Sequence, residues 1–287
     1  MISLLFHILF FIFSLISLFI VYAVYYFYRS LRPPRFVTPI LPSHYGLSWE
    51  NVVFETADHV QLKGWFIPNP SAKSAIIVCH GYPFDKGNLL PLAKFLHADH
   101  HLFLFDFRAM GESGGQLSTV GFLERLDLAA ALDYLFSRSI CQIGVLGYSL
   151  GGGVALFTAR NEKIQSIVAD SPFSSMNQQM DDMLKNLFFL KKFFIFMLKS
   201  MAKLFLHIDL AEIHPAKAVE NLDKPIFIIH GDQDNQVSVS HTERFRKANP
   251  KIMFWIVPGC GHGAAHELLT EEYEKRVGDF FRRTLQG

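Results

Sequence analysis

The sequence predicts an α/β fold, a mostly parallel sheet with helices on both faces, preceded by one N-terminal transmembrane helix. Three observations predict it. Short runs at 75–79, 102–105, 143–146, 167–169, 226–229 and 252–257 are apolar throughout, as strands buried on both faces must be. Stretches with apolar residues at three- and four-residue steps alternate with them, the order of a parallel sheet joined by crossover helices. The first 28 residues contain no Asp, Glu, Lys or Arg, and about 20 apolar residues suffice to cross a bilayer core.

Residues 1–28 read as a membrane anchor. Tyr22, Tyr25, Tyr26 and Tyr28 crowd its C-terminal end, where amphipathic rings favour the headgroup level. Arg29, Arg32 and Arg35 follow at once. This bias of basic charge places the C-terminal side, and with it the rest of the chain, in the cytoplasm. A cleaved signal peptide is the alternative, but the N-terminal flank carries no Lys or Arg and no small-x-small site precedes the arginines. A buried core helix is the other. Pro33, Pro34, Pro39 and Pro42 then make 29–48 a stiff linker that cannot continue the helix. The folded domain is expected from Trp49 to the end, 49–287.

Within it, 52–56 and 60–67 read as a β-hairpin around Ala57-Asp58-His59. Helical spacing covers 89–98, 122–136 and 152–159, and returns at 215–221, 239–248 and 266–285.

Composition narrows the function. Half of the 287 residues are apolar and 18% are charged, which excludes a disordered chain. A net charge of +1 offers no global field for nucleic acid or another polyanion, so no nucleic-acid partner is expected. Cys79, Cys141 and Cys260 are an odd count without paired spacing, and so no disulfide framework. The 29 Phe are uneven: residues 1–28 hold six and residues 177–210 hold six more.

The pattern G-x-S-x-G occurs twice, at 111–115 and 147–151. A serine nucleophile of this kind needs a sharp turn from a strand into a helix, with glycines where side chains would clash. Gly147-Tyr148-Ser149-Leu150-Gly151 has an apolar strand before it and Gly152-Gly153-Val154-Ala155-Leu156 opening a helix after it. The first copy follows an irregular loop and runs towards a helix start. Ser149 is therefore the candidate nucleophile and Ser113 a turn residue.

With these residues in place, the chain from about Trp49 onward resembles the α/β-hydrolase superfamily, in particular its membrane-anchored single-domain serine hydrolases. His80-Gly81 closes the third strand. The segment Asp106 to Gly114 resembles a D-x-R-G-x-G-x-S-x-G loop, with Ala109 where a glycine is usual. The elbow at 147–151 comes next. His230-Gly231-Asp232-Gln233-Asp234-Asn235-Gln236-Val237 resembles the H-G-x-x-D-x-x-V loop after the seventh strand, and Gly259-Cys260-Gly261-His262 the histidine loop after the eighth. The order Ser, Asp, His agrees with that fold.

A serine hydroxyl is a poor nucleophile and needs a base in contact. His262, in a glycine-flanked loop just after a strand, is the candidate; His266 is the rival and reads as the start of the last helix. The resemblance makes Asp234 the acid, with Asp232 as a loop brace and Asp170, after the sixth strand, as a further option. The oxyanion needs two N–H donors; the resemblance points to the backbones of Leu150 and Tyr82. Tyr148 either lines the pocket or packs, and Asp106 and Arg108 brace their loop. His262 and His266 do not make H-E-x-x-H, and no third ligand is placed, so no metal is expected, nor an organic cofactor.

Between the sixth strand and Pro215 the chain inserts about 174–214, which in this superfamily is a cap over the pocket. Lys185, Lys192, Lys199 and Lys203 fall on one stripe of an otherwise apolar helix. Such a helix reads as interfacial, or as a lid packing its apolar side on the sheet. The implied function is a serine hydrolase cleaving (thio)esters of a small-molecule acyl or lipid-like substrate. A serine peptidase and a non-catalytic membrane-bound binding protein of the same fold are the alternatives.

Overall fold

The computed structural model describes residues 2–285. Helix α1 (Ile2–Ser30) comes first, followed by β1 (Glu50–Glu55), β2 (Gln61–Ile67), β3 (Ser74–Cys79), α2 (Lys86–Ala93) and β4 (His101–Phe105). Then come α3 (Glu124–Ser137), β5 (Gln142–Tyr148), α4 (Leu150–Phe157) and β6 (Ile164–Asp170). The cap contributes α5 (Met176–Met183) and α6 (Lys191–Met201). The chain ends with α7 (Pro215–Ala218), β7 (Ile226–Gly231), α8 (Ser240–Ala248), β8 (Met253–Val257), α9 (Ala265–Leu268) and α10 (Thr270–Leu285).

Among the described residues eight strands form one sheet in the order β1-β2-β4-β3-β5-β6-β7-β8. The hairpin β1–β2 is antiparallel, as its turn residues predict, and β2 is antiparallel to β4. The six strands from β4 across to β8 run parallel. Their C-terminal ends therefore share one edge, and every loop that carries a motif of the sequence emerges there.

All six residues of β3 are buried. Alternate side chains serve opposite faces, as the two-residue period of a strand requires. Ile77, Val145 and Ile167 pack under α3 and α4, while Ile76, Val78 and Val168 pack under α2 and α10. Each of these fully buried aliphatic side chains contributes about 1.5–3 kcal/mol of apolar transfer. Buried on two sides, the strands have no polar face to show in the sequence, which is why they read as continuous apolar runs.

Two segments depart from their predicted form. The last helix is interrupted at Leu269 (φ −134°), so α9 and α10 are separate. The lysine-striped cap helix is also broken. Its chain leaves α5 at Met183, makes a tight turn over Lys185–Leu190 with Phe188 at φ 41°, and restarts as α6. Lys185 thus leaves the stripe of Lys192 and Lys199. Hydrophobic periodicity cannot register such a break, because the turn is as apolar as the helices beside it. Lys191 pairs back to Asp181 at 2.7 Å across the kink. The cap is fastened to α8 by the buried His241, whose Nε2 lies 3.2 Å from Asp182 and whose Nδ1 accepts from the Ser174 N–H at 2.8 Å.

Helix α1 is long and apolar enough to cross a membrane, with a mean hydropathy of 2.8 in its most apolar window. The proline-rich segment after it lies on the domain. Arg35 donates to the carbonyl oxygens of Ser113 (2.5 Å), Gly115 (2.7 Å) and Gly111 (3.3 Å), and the Thr38 N–H donates to Asp85 at 2.6 Å.

Candidate active site

The turn from β5 into α4 carries Ser149 in a conformation few side chains adopt, φ 52° and ψ −112°. Its glycines answer to close backbone contacts. A Cβ at Gly147 would meet the Gly151 carbonyl, and one at Gly151 would meet the Cys79 carbonyl of β3. The strain lifts the hydroxyl off the sheet edge at the N-terminus of α4. The Ser149 N–H is held by the Asp170 carbonyl at 2.8 Å.

The loop after β8 brings His262 to that hydroxyl. Ser149 Oγ lies 2.8 Å from His262 Nε2, and His262 Nδ1 lies 2.7 Å from Asp234 Oδ2. With the imidazole proton on Nδ1 it donates to Asp234, leaving Nε2 to accept from the serine. Asp234 Oδ1 accepts from the Gln236 and Val237 N–H groups at 2.9 and 2.8 Å. Burial alone would raise this carboxyl. The His262 hydrogen bond and the two N–H donors outweigh it, and the group sits below its ordinary value. It is therefore an anion at neutral pH. The structure thus brings Ser149, His262 and Asp234, far apart in sequence, into one hydrogen-bonded chain.

The neighbouring candidates have other partners. Asp232 accepts the Gly259 N–H at 2.7 Å, tying the acid loop to the histidine loop. Asp170 is fully buried and accepts from Ser171 Oγ at 2.9 Å, and that hydroxyl in turn accepts the Gly263 N–H at 3.0 Å. Burial pushes the Asp170 carboxyl up to about 6. Ser113 is buried, donates to the Asp106 carbonyl at 2.6 Å and accepts from the Lys63 N–H at 2.9 Å. A hydroxyl so committed cannot attack. His266 stacks edge-on against Tyr273 at 5.3 Å rather than facing His262.

Two loops complete the edge. After β3, His80 is buried; its Nδ1 donates to the Gly81 carbonyl at 2.8 Å and its Nε2 accepts from the Phe107 N–H at 2.9 Å. Burial holds this histidine below its ordinary pKa, in keeping with that neutral form. A Cβ at Gly81 would press on Tyr148 at 2.9 Å and on Ser149 at 3.2 Å. Only glycine lets the Tyr82 backbone come so near the elbow. The loop after β4 is braced by ion pairs: buried Lys86 to Asp106 at 2.7 Å, and buried Arg108 to the buried Asp127 and the exposed Asp58, each at 2.7 Å. Ala109 there stands at φ 62°, which explains why a glycine is usual at this point of the motif.

Beside Ser149 opens a cavity of about 510 Å³. The cap supplies Met176, Met180, Met183 and Leu198, and the elbow supplies Leu150. Among the described residues that line it none carries a charge. Phe27, Ser30 and Leu31 at the end of α1 also line it, and nothing in the sequence separates these positions from the exposed apolar ones before them.

This sheet, with a serine elbow and a histidine and an acid on the same edge, defines an α/β-hydrolase. The Pyrococcus furiosus esterase Pf2001 is similar over 88% of this chain and 100% of its own, with 30% identity and a TM-score of 0.73. The chain belongs to the prolyl oligopeptidase family, which matches residues 121–287. The Bacillus subtilis (strain 168) protein YqkD, described as uncharacterized, is 26% identical over 253 residues, 84% of this chain and 77% of that protein. The Arabidopsis thaliana α/β-hydrolase domain-containing protein WAV2 is 26% identical over 239 residues, 78% of this chain and 75% of its own. The class of reaction is hydrolysis.

Proposed function

We propose that this protein is a serine hydrolase of carboxylic esters or thioesters with apolar acyl groups. The observation that carries the reading is the Ser149–His262–Asp234 chain opening on an uncharged, largely apolar cavity.

In this reading His262 Nε2 takes the Ser149 proton as Oγ attacks the acyl carbonyl. The negative charge that develops on the carbonyl oxygen is met by the N–H groups of Leu150 and Tyr82. Leu150 is the first residue of α4, so its N–H has no acceptor within the helix. His262 then passes the proton to the departing alkoxide or thiolate, leaving an acyl ester on Ser149. Water, deprotonated by the same nitrogen, releases the acid and restores the serine. Asp234 holds the Nδ1 proton and offsets the imidazolium charge throughout.

The family's name favours a second reading, peptide hydrolysis. The cavity speaks against it: a peptide terminus carries a charge, and none of the lining side chains offers an opposite one. Rates for a chain-length series of acyl esters and thioesters against a set of aminoacyl amides decide between them. Preference for the acyl series supports the reading, and preference for the amides overturns it.

The expected membrane position belongs to the same proposal. Helix α1 crosses the bilayer, with the catalytic domain on the side of Arg29, Arg32 and Arg35. The cap lies along it: Phe193 of α6 sits 6.4 Å from Phe19, which is about 16 Å before the helix end at 1.5 Å per residue. Phe188, Phe196 and Leu204 of the cap are exposed, which supports contact with lipid. Protease protection of the full chain in sealed vesicles reads the side directly.

A further inference from the structure

One wall of the cavity beside Ser149 comes from neither the sheet nor the cap. It is the end of α1. Most of that helix is exposed; Phe13, for example, is 68% exposed. Burial begins only near the C-terminus, where Phe27 is 6% and Leu31 8% exposed, one turn apart on the same face. They pack with Ala23 against Met201 and Ala202 of the cap, and both reach the cavity that holds Ser149.

Polar contacts fix this end in place. The Ser118 N–H donates to the Leu31 carbonyl at 2.8 Å, and the Tyr82 hydroxyl donates to the Ser30 carbonyl at 3.2 Å. Together with the three carbonyl contacts of Arg35, these hold the helix end against the loops after β3 and β4. A tether needs only a flexible link. Here the carbonyls of the last residue of α1, Ser30, and of the Leu31 that follows it are each bonded to an active-site loop.

We propose that the C-terminal end of α1 and the residue after it are the acyl-chain specificity wall of this hydrolase, with Phe27 and Leu31 touching the acyl chain of a substrate whose carbonyl lies at Ser149. This rests on the acyl-ester reading above. An apolar chain in the cavity gains contact and loses water with each methylene the cavity admits, until it meets a side chain that does not yield. Phe27 and Leu31 are buried by the fold and backed by the cap, so they set where that limit falls. The helix then has two roles, attachment and selection, and selection does not require a membrane.

The test uses the purified full chain in detergent micelles and p-nitrophenyl esters from acetyl to palmitoyl. Leu31→Trp narrows the cavity and lowers the palmitoyl-to-acetyl ratio of kcat/KM by about tenfold, the scale of a misfit by one or two methylenes. Phe27→Ala widens it and moves the optimum to longer chains. The opposite directions exclude a general loss of folding as the cause. Phe13→Ala, on the exposed face, keeps the wild-type profile. If both cavity variants scale every ester by one factor, or leave the profile unchanged, the proposal is overturned. Survival of hydrolysis in Ser149→Ala, or no hydrolysis of any ester, overturns the acyl-ester reading itself, whatever the profiles show.

Discussion

The Tyr82 hydroxyl donates to the Ser30 carbonyl at 3.2 Å, so the loop with one proposed oxyanion donor is hydrogen-bonded to the last residue of α1. Tyr82→Phe removes this bond and keeps the backbone N–H. A hydrogen bond contributes about 1 kcal/mol net, so kcat should fall by roughly three- to tenfold. Steady-state kinetics with an acetyl ester measures it. An unchanged kcat means that the loop is held without α1.

Asp234→Asn keeps the shape of the acid and alters its polarity. An amide N–H turned towards His262 forces the imidazole proton onto Nε2, which then cannot accept from Ser149. The expected loss in kcat is about 10⁴-fold with the fold intact. Stopped assays alongside a thermal melt separate this from unfolding. A loss below tenfold would return the acid's role to Asp170.

Much of this was legible in the sequence. Buried parallel strands are apolar on both faces, so β3, β5, β6 and β7 stand out as runs. The motif loops stand out because they need glycine for contact: Gly147, Gly151 and Gly81 each sit where a side chain would strike backbone or the elbow. Other features left no mark. The kink at Phe188 is apolar like its surroundings. Ser171 is one serine among many until its hydroxyl is seen between Asp170 and Gly263. His241 has no motif, and its bond to Asp182 spans 59 residues. Phe27 and Leu31 look like any other position of the apolar N-terminal run, because burial against a cap selects the same side chains as the exposed face of that helix carries.

Asp170 gives a pH dependence. Burial raises its carboxyl to about 6 from 3.8. The folded chain therefore binds this proton more tightly than the unfolded chain. Stability falls as pH rises from about 4 to about 6, and the full penalty persists above that range. At about 1.4 kcal/mol per pKa unit the penalty is about 3 kcal/mol. Asp170→Asn, which still accepts from Ser171, should raise the melting temperature at pH 8 and leave it unchanged at pH 4. Thermal unfolding across that range checks it, and an equal gain at both values would mean that Asp170 titration is not the cause.

Gly263 follows His262 and stands at φ 61°, where an added Cβ would enter the Tyr148 ring. Its N–H is the group held by Ser171. Gly263→Ala should displace His262 and lower kcat by about 10²-fold, the usual cost of a 1 Å misplacement of a catalytic group. Kinetics of the purified variant, compared with its melting curve, tests this. Full activity would mean that the histidine loop is less constrained than its contacts require.

Ser149 is the proposed nucleophile. Reaction of the full chain with a fluorophosphonate, followed by peptide mass spectrometry, tests it most directly. A single phosphonyl adduct is expected on Ser149, absent in Ser149→Ala and strongly reduced in His262→Ala. An adduct on Ser113, or labelling that persists in Ser149→Ala, would contradict it.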